Sequence, residues 1–234
     1  TPAKGKALIK KALKLDPNNV DAYIYLGSIN KDPHQAAEYF KKGMELGKEQ
    51  LDEATFEEMK GHFWNFHETI PYMVAKEVYA ECLCAIGKID EPIKQFNELL
   101  ALNVNDNRGI RFRLATLLLI AGRYSEYETH SKNYHEKGSA PWLFLNSIYL
   151  FLKEGESTKT KKTLAKAHKA NKHVLAMIAE DEDLPDDEDI PDSYWVGDED
   201  EALVIIMMLG DLLIQNKPFI QYILDYYFSL EQNA

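Results

Sequence analysis

Only two cysteines, Cys82 and Cys84, occur in the 234 residues, and they stand two positions apart. On a helix such side chains diverge by roughly 200°, so they cannot bridge to one another or begin a cysteine metal cluster. A disulfide framework is thereby excluded. Long apolar runs are lacking as well. The longest, Ala115 to Ala121 and Leu203 to Leu209, fall far short of the roughly 20 residues of a membrane-spanning helix. Neither a signal peptide nor an initiator methionine begins the chain at Thr1, which reads as a processed or excised protein, and reduced cysteines favour a cytoplasmic location. The 12 glycines are scattered instead of gathered before a helix, so no phosphate cradle forms and nucleotide binding is not expected. There is no Gly-x-Ser-x-Gly nucleophile motif and no His-Glu-x-x-His metal motif. His62 and His67, His130 and His135, and His168 and His173 are each five apart, where two ligands on one helix face need a spacing of four. No catalytic residue, metal site or cofactor is expected, and an enzyme is the least supported class.

What the chain does have is 45% apolar residues, enough for a sizeable core, and a net charge of −11 that is unevenly spread. From Glu180 to Glu201 there are 13 acidic residues and no Lys or Arg, which leaves the other 212 residues at about +2. The acidity is one local feature on a nearly neutral body, and neither nucleic acid nor membrane is expected as a partner.

Internal repetition organises the rest. Tyr79-Ala80, Leu83 and Gly87 recur 35 residues later as Leu114-Ala115, Leu118 and Gly122, and Phe96 and Leu99 are answered by Ser131 and Tyr134. The unit is helix, glycine turn, helix. A small residue in the first helix lets the second approach closely, and glycine supplies the tight turn. Second helices carry a small or flat residue, a bulky one four later and a small or apolar one three after that: Gly5, Ile9 and Ala12; Ala36, Phe40 and Gly43; Pro92, Phe96 and Leu99; Thr160, Leu164 and Ala167. Pro17, Val104 and Lys172 follow five residues on in three of them. First helices show at Tyr23, Leu26 and Gly27 and at Trp142, Leu145, Asn146 and Tyr149.

These residues resemble the tetratricopeptide repeat family over about Gly5 to Val174. The resemblance implies an all-α fold, a right-handed solenoid of helix pairs whose first helices line a concave groove for a peptide or a partner's helix. More narrowly, Lys60-Gly61-His62-Phe63-Trp64, Glu68 to Met73 and Asn105 to Arg111 are similar to uncharacterised bacterial tetratricopeptide proteins. Asn171-Lys172-His173-Val174 with the acidic stretch behind it is similar to the tail of the suppressor-of-tumorigenicity 7 family, with Lys172 where those relatives usually carry Pro.

The expected organisation is helical repeats over 1–174 with an insertion at 47–71, an acidic crossover over 175–200, and C-terminal capping helices over 201–234. The first unit opens directly on a second-type helix at Ala3, which suggests a missing upstream segment. In the insertion, Thr55 and Glu58 fit a capping box that would start a short helix. Phe63, Trp64 and Phe66 after it read either as a plug between repeats or as an exposed ligand shelf. Glu199 to Asn216 and Pro218 to Gln232 read as amphipathic helices covering the apolar end of the array, as a terminal repeat requires, or as a dimer interface.

Carried over position by position, the family's groove falls on Asp21, Ile24 and Ser28, on Val74, Glu77 and Glu81, on Phe112 and Thr116, and on Leu143 and Ser147. Family members that grip a chaperone's C-terminal carboxylate use Lys and Asn where Glu77 and Glu81 stand here, so a basic or mixed ligand fits better. Arg108, Arg111 and Arg113 open a first helix, where positive charge opposes the helix dipole. They require either salt bridges or contact with an anionic group. The sequence thus describes a non-enzymatic scaffold that binds a protein or peptide. The alternative is a homo-oligomer or structural subunit joined through its C-terminal helices, and a third reading folds the acidic segment over Arg108 to Arg113.

Overall fold

The computed structural model describes residues 2–134, 138–180 and 193–232, without the side chains of residues 2–4, 6 and 231. His135 and most of the acidic run, residues 181–192, lie outside the described residues, and the histidine pair and crossover expected there lie outside with them. Among the described residues every regular element is helical: α1 (Pro2–Leu15), α2 (Val20–Ser28), α3 (Pro33–Glu49), α4 (Glu53–Met59), α5 (Ile70–Ala85), α6 (Asp90–Leu102), α7 (Ile110–Ile120), α8 (Tyr124–Lys132), α9 (Ala140–Glu154), α10 (Thr158–Ala170), α11 (His173–Glu180), α12 (Glu199–Gln215) and α13 (Lys217–Glu231). A single 3-10 turn, Phe63–Asn65, precedes α5. No described helix is long and apolar enough to cross a membrane. The chain divides into two compact units, 1–114 and 115–234.

In the first unit α3 packs on α2 before it and on α5 after it, while α5 packs also on α2 and α6. This is the contact pattern of stacked helix pairs. The repeat positions explain it: Ala36 and Phe40 on α3, Phe96 and Leu99 on α6, and Tyr79, Ala80 and Leu83 on α5 are all buried. Gly27 on α2 shows why a small residue is needed, since a Cβ there would lie 2.3 Å from the Phe40 ring. The glycine turns repeat in backbone detail. The Gly87 N–H donates to the Cys84 carbonyl at 2.8 Å and that of Lys88 to Leu83 at 2.9 Å; 35 residues on, Gly122 donates to Leu119 at 3.1 Å and Arg123 to Leu118 at 2.9 Å. Both glycines have positive φ, +75° and +66°, as this helix-ending motif demands.

The insertion does form a short helix, α4, but its cap is Asp52 and not Thr55. The Asp52 carboxylate accepts the Thr55 N–H at 2.8 Å, so the start lies one turn earlier than the Thr55–Glu58 spacing suggests. The three aromatics then separate. Phe63 is fully buried against Phe56 and Tyr72, Trp64 is half-buried, and Phe66 is 37% exposed. Thr69 fastens the turn by donating its hydroxyl to the carbonyls of Phe63 and Phe66. The Val104 N–H donates to the Gly61 carbonyl at 2.9 Å and His62 pairs with Asn103, so the insertion is stitched to the loop after α6.

In the second unit α9 and α10 form the main pair, with Trp142, Leu145, Thr160, Leu164 and Ala167 buried at the repeat positions. The sequence places the acidic crossover from residue 175 onward; the structure corrects this, because α11 carries helix to Glu180 with Val174 and Leu175 buried. Its own apolar residues, Val174, Leu175, Met177 and Ile178, supply the packing, against α12 and α13. Phe151 of α9 meets Phe219 and Tyr222 of α13 at 5.2 Å, and His168 of α10 sits between Tyr226 and Tyr227.

Candidate functional site

Position along a first helix decides which side chains can face a partner, and α5 contributes Val74, Glu77 and Glu81, with the two glutamates one turn apart. Val74 is half-buried, whereas Glu77 is only 4% exposed and cannot be read as a free carboxylate. Arg108, in the loop before α7, donates through Nε to both Glu77 oxygens at 3.3 and 3.2 Å and through Nη2 at 3.1 Å. Arg113, on the first turn of α7, donates to Glu77 Oε1 at 2.8 Å and also to Glu81. Two guanidiniums thus meet two carboxylates in a neutral lattice, with the Arg108 guanidinium 5.5 Å from the Trp64 ring. Partial burial pushes the Glu81 carboxyl above the usual glutamate range and Glu77 adds to this, against the pull of Arg113.

Arg111 turns to a different partner. The Asp106 carboxylate accepts the backbone N–H of Ile110 at 2.7 Å and of Arg111 at 3.0 Å, and also the Arg111 Nη1 at 2.8 Å. Asp106 therefore caps α7 and neutralises the arginine that the helix dipole opposes. All three arginines are held by carboxylates of their own unit.

The remaining groove positions are placed as follows. On α2, Asp21 and Ser28 are exposed and Ile24 packs against the core of α3 and α5. Phe112 is half-buried with the Arg111 guanidinium 4.3 Å from its ring. Thr116, Leu143 and Ser147 belong to the second unit. There Thr116 is buried, Leu143 is half-buried, and Ser147 is fully buried with its hydroxyl turned back to the Leu143 carbonyl at 2.8 Å. The structure brings Asp21, Ser28, Val74, Glu81 and Phe112 to accessible positions of the first unit and withdraws Glu77, Thr116 and Ser147 from solvent.

Two polar networks escape a reading of the sequence. Lys76 is buried on α5, its ammonium donating to Gln95 and to Glu98 at 2.5 Å, while Gln95 donates to Glu91 at 2.6 Å. Its position is legible afterwards: Tyr72, Lys76, Tyr79 and Leu83 follow the buried stripe of α5, so the lysine stem takes an apolar place and its head reaches α6. The second network joins Asn171 to Glu201, which lie 30 residues apart with no local signal.

No known protein-family profile matches the chain, and no curated protein matches it. Among solved structures, that of YrrB, a TPR protein with an unusual peptide-binding site, is similar over 69% of this chain and 91% of its own, at 18% identity and a TM-score of 0.37. The superposition is loose, and no residue role is carried over from it.

Proposed function

We propose that the chain is a non-enzymatic interaction scaffold of the tetratricopeptide kind, which holds a peptide or a helix of a partner protein on the first-helix face of residues 1–114. The supporting observation is the lattice of Glu77, Glu81, Arg108 and Arg113. It ties α5 to the start of α7 and leaves Arg108, Glu81 and Arg113 partly exposed, with half-buried Val74 and Phe112 on the same two helices. A face held rigid before binding loses little backbone entropy when a ligand arrives. Because the two glutamates are balanced by two arginines, a purely basic ligand has no electrostatic preference here. The reading favours an apolar segment carrying charges of both signs.

Selection of a random peptide display library against the protein tests this. Enriched peptides should share apolar residues flanked by mixed charge, and their affinity should fall about tenfold or more on Val74→Glu or Phe112→Ala, with helicity retained. A library that yields no shared pattern, or peptides indifferent to both changes, would overturn the assignment.

A further inference from the structure

A tryptophan that is 84% exposed is uncommon, and here Trp195 has as neighbours Val196, also 84% exposed, and Tyr194 at 43%. The turn that displays them is firmly built. The Trp195 N–H donates to Asp198 Oδ2 at 2.8 Å and the Gly197 N–H donates to Glu201 Oε2 at 2.7 Å. Asn171, itself buried, donates to the same Glu201 oxygen at 2.9 Å and to the Asp198 carbonyl at 2.8 Å. Buried polar groups therefore hold a turn whose tip is aromatic, with the exposed carboxylates Glu199 and Asp200 directly behind it.

Beside this turn lies a surface of opposite charge. Helix α10 contains no acidic residue, and its exposed Lys159, Lys162, Lys166 and Lys169 recur at i, i+3, i+7 and i+10. That spacing confines them to an arc of roughly 80°. Among the described residues, only Lys159 of these four forms an ion pair, with Glu154 at 4.0 Å. The C-terminus of α10 abuts the turn, since a Cβ on Gly197 would lie 3.4 Å from the Ala170 carbonyl oxygen.

We propose that the partner of this surface is a second copy of the chain, paired across a twofold axis so that the Tyr194–Val196 turn of each copy lies on the lysine stripe of the other. Each copy carries both halves of a complementary pair side by side, which is what a self-complementary contact requires. The lysine stems provide an apolar floor for Trp195, and their ammonium groups meet the indole face and the Glu199 and Asp200 carboxylates. This contact uses the turn before α12 and the face of α10; it does not use the outer faces of α12 and α13.

Sedimentation velocity of the full chain over a wide concentration range tests it. The wild type should dimerise, more weakly at high salt, and Trp195→Ala should raise the dissociation constant about tenfold or more. The double variants Lys162→Glu/Lys166→Glu and Glu199→Lys/Asp200→Lys should each be monomeric yet dimerise when mixed, because mixing restores opposite charges at both contacts. This rescue also separates lost contact from lost folding. A wild type that stays monomeric throughout, a dimer indifferent to Trp195→Ala, or a mixture that fails to associate would overturn the proposal. So would a dimer abolished by Ile214→Ser and Phe228→Ser on α12 and α13 while Trp195→Ala leaves it intact.

Discussion

Replacing Phe63 with alanine is expected to cost about 3–5 kcal/mol of stability, the range for emptying a buried aromatic site. Phe63 has 0% exposure, and its ring centroid lies 4.9 Å from that of Phe56 and 6.3 Å from that of Tyr72. It therefore ties α4 of the insertion to the start of α5. A loss of this size is a large share of the about 5–15 kcal/mol that separates folded from unfolded domains. Phe66, three residues on and exposed, should cost within about 0.5 kcal/mol when changed to alanine. Denaturant unfolding of the two variants gives the comparison. Similar losses for both would contradict the separation of this cluster into a plug and a surface residue.

Glu77→Ala is the second large effect expected, about 2–3 kcal/mol. The change removes the carboxylate that Arg108 engages and one of the two that Arg113 engages, which leaves Glu81 to balance two guanidiniums beside a newly opened buried space. The cost stays below that of breaking a fully buried ion pair because the side chains of Arg108 and Arg113 are 50% and 36% exposed and water can still reach them. Arg113→Ala on its own should cost less. On the Glu77→Ala background Arg113→Ala should cost less than it does in the wild type, because only its pair with Glu81 remains to be lost. A double-mutant cycle that proved additive to within about 0.5 kcal/mol would contradict the lattice as a cooperative unit.

The helix pairs were legible in the sequence because their packing is written in short intervals. Phe40 must face Gly27, Gly87 and Gly122 must adopt a left-handed turn, and these needs restrict residue type at fixed spacing. The short helices were harder to read. Asp52 and Thr55 are both capping residues one turn apart, and only the backbone geometry selects the first. Helix α11 has 8 residues and runs directly into an acidic stretch, so its apolar pattern is too brief to set a boundary. For the candidate site, the sequence offers Val74, Glu77 and Glu81 as α5 positions for a groove but gives no sign that both glutamates are already engaged. The arginines that engage Glu77 come from 31 and 36 residues away, in the following repeat, and nothing local announces that meeting. Asn171 and Glu201 pose the same difficulty at a separation of 30. Lys76 was missed for a different reason: a lysine on the apolar stripe of α5 is a local signal, but its partners Gln95 and Glu98 lie on the next helix.

The most direct test of the first-helix face as the binding surface is amide hydrogen exchange on the protein with and without a peptide selected for tight binding. Added protection is expected in α2, α5 and the residues around Arg108 to Phe112, with α12 and α13 unchanged. Protection confined to α12, α13 or the turn at Tyr194 to Val196 would contradict it and move the binding surface to the second unit.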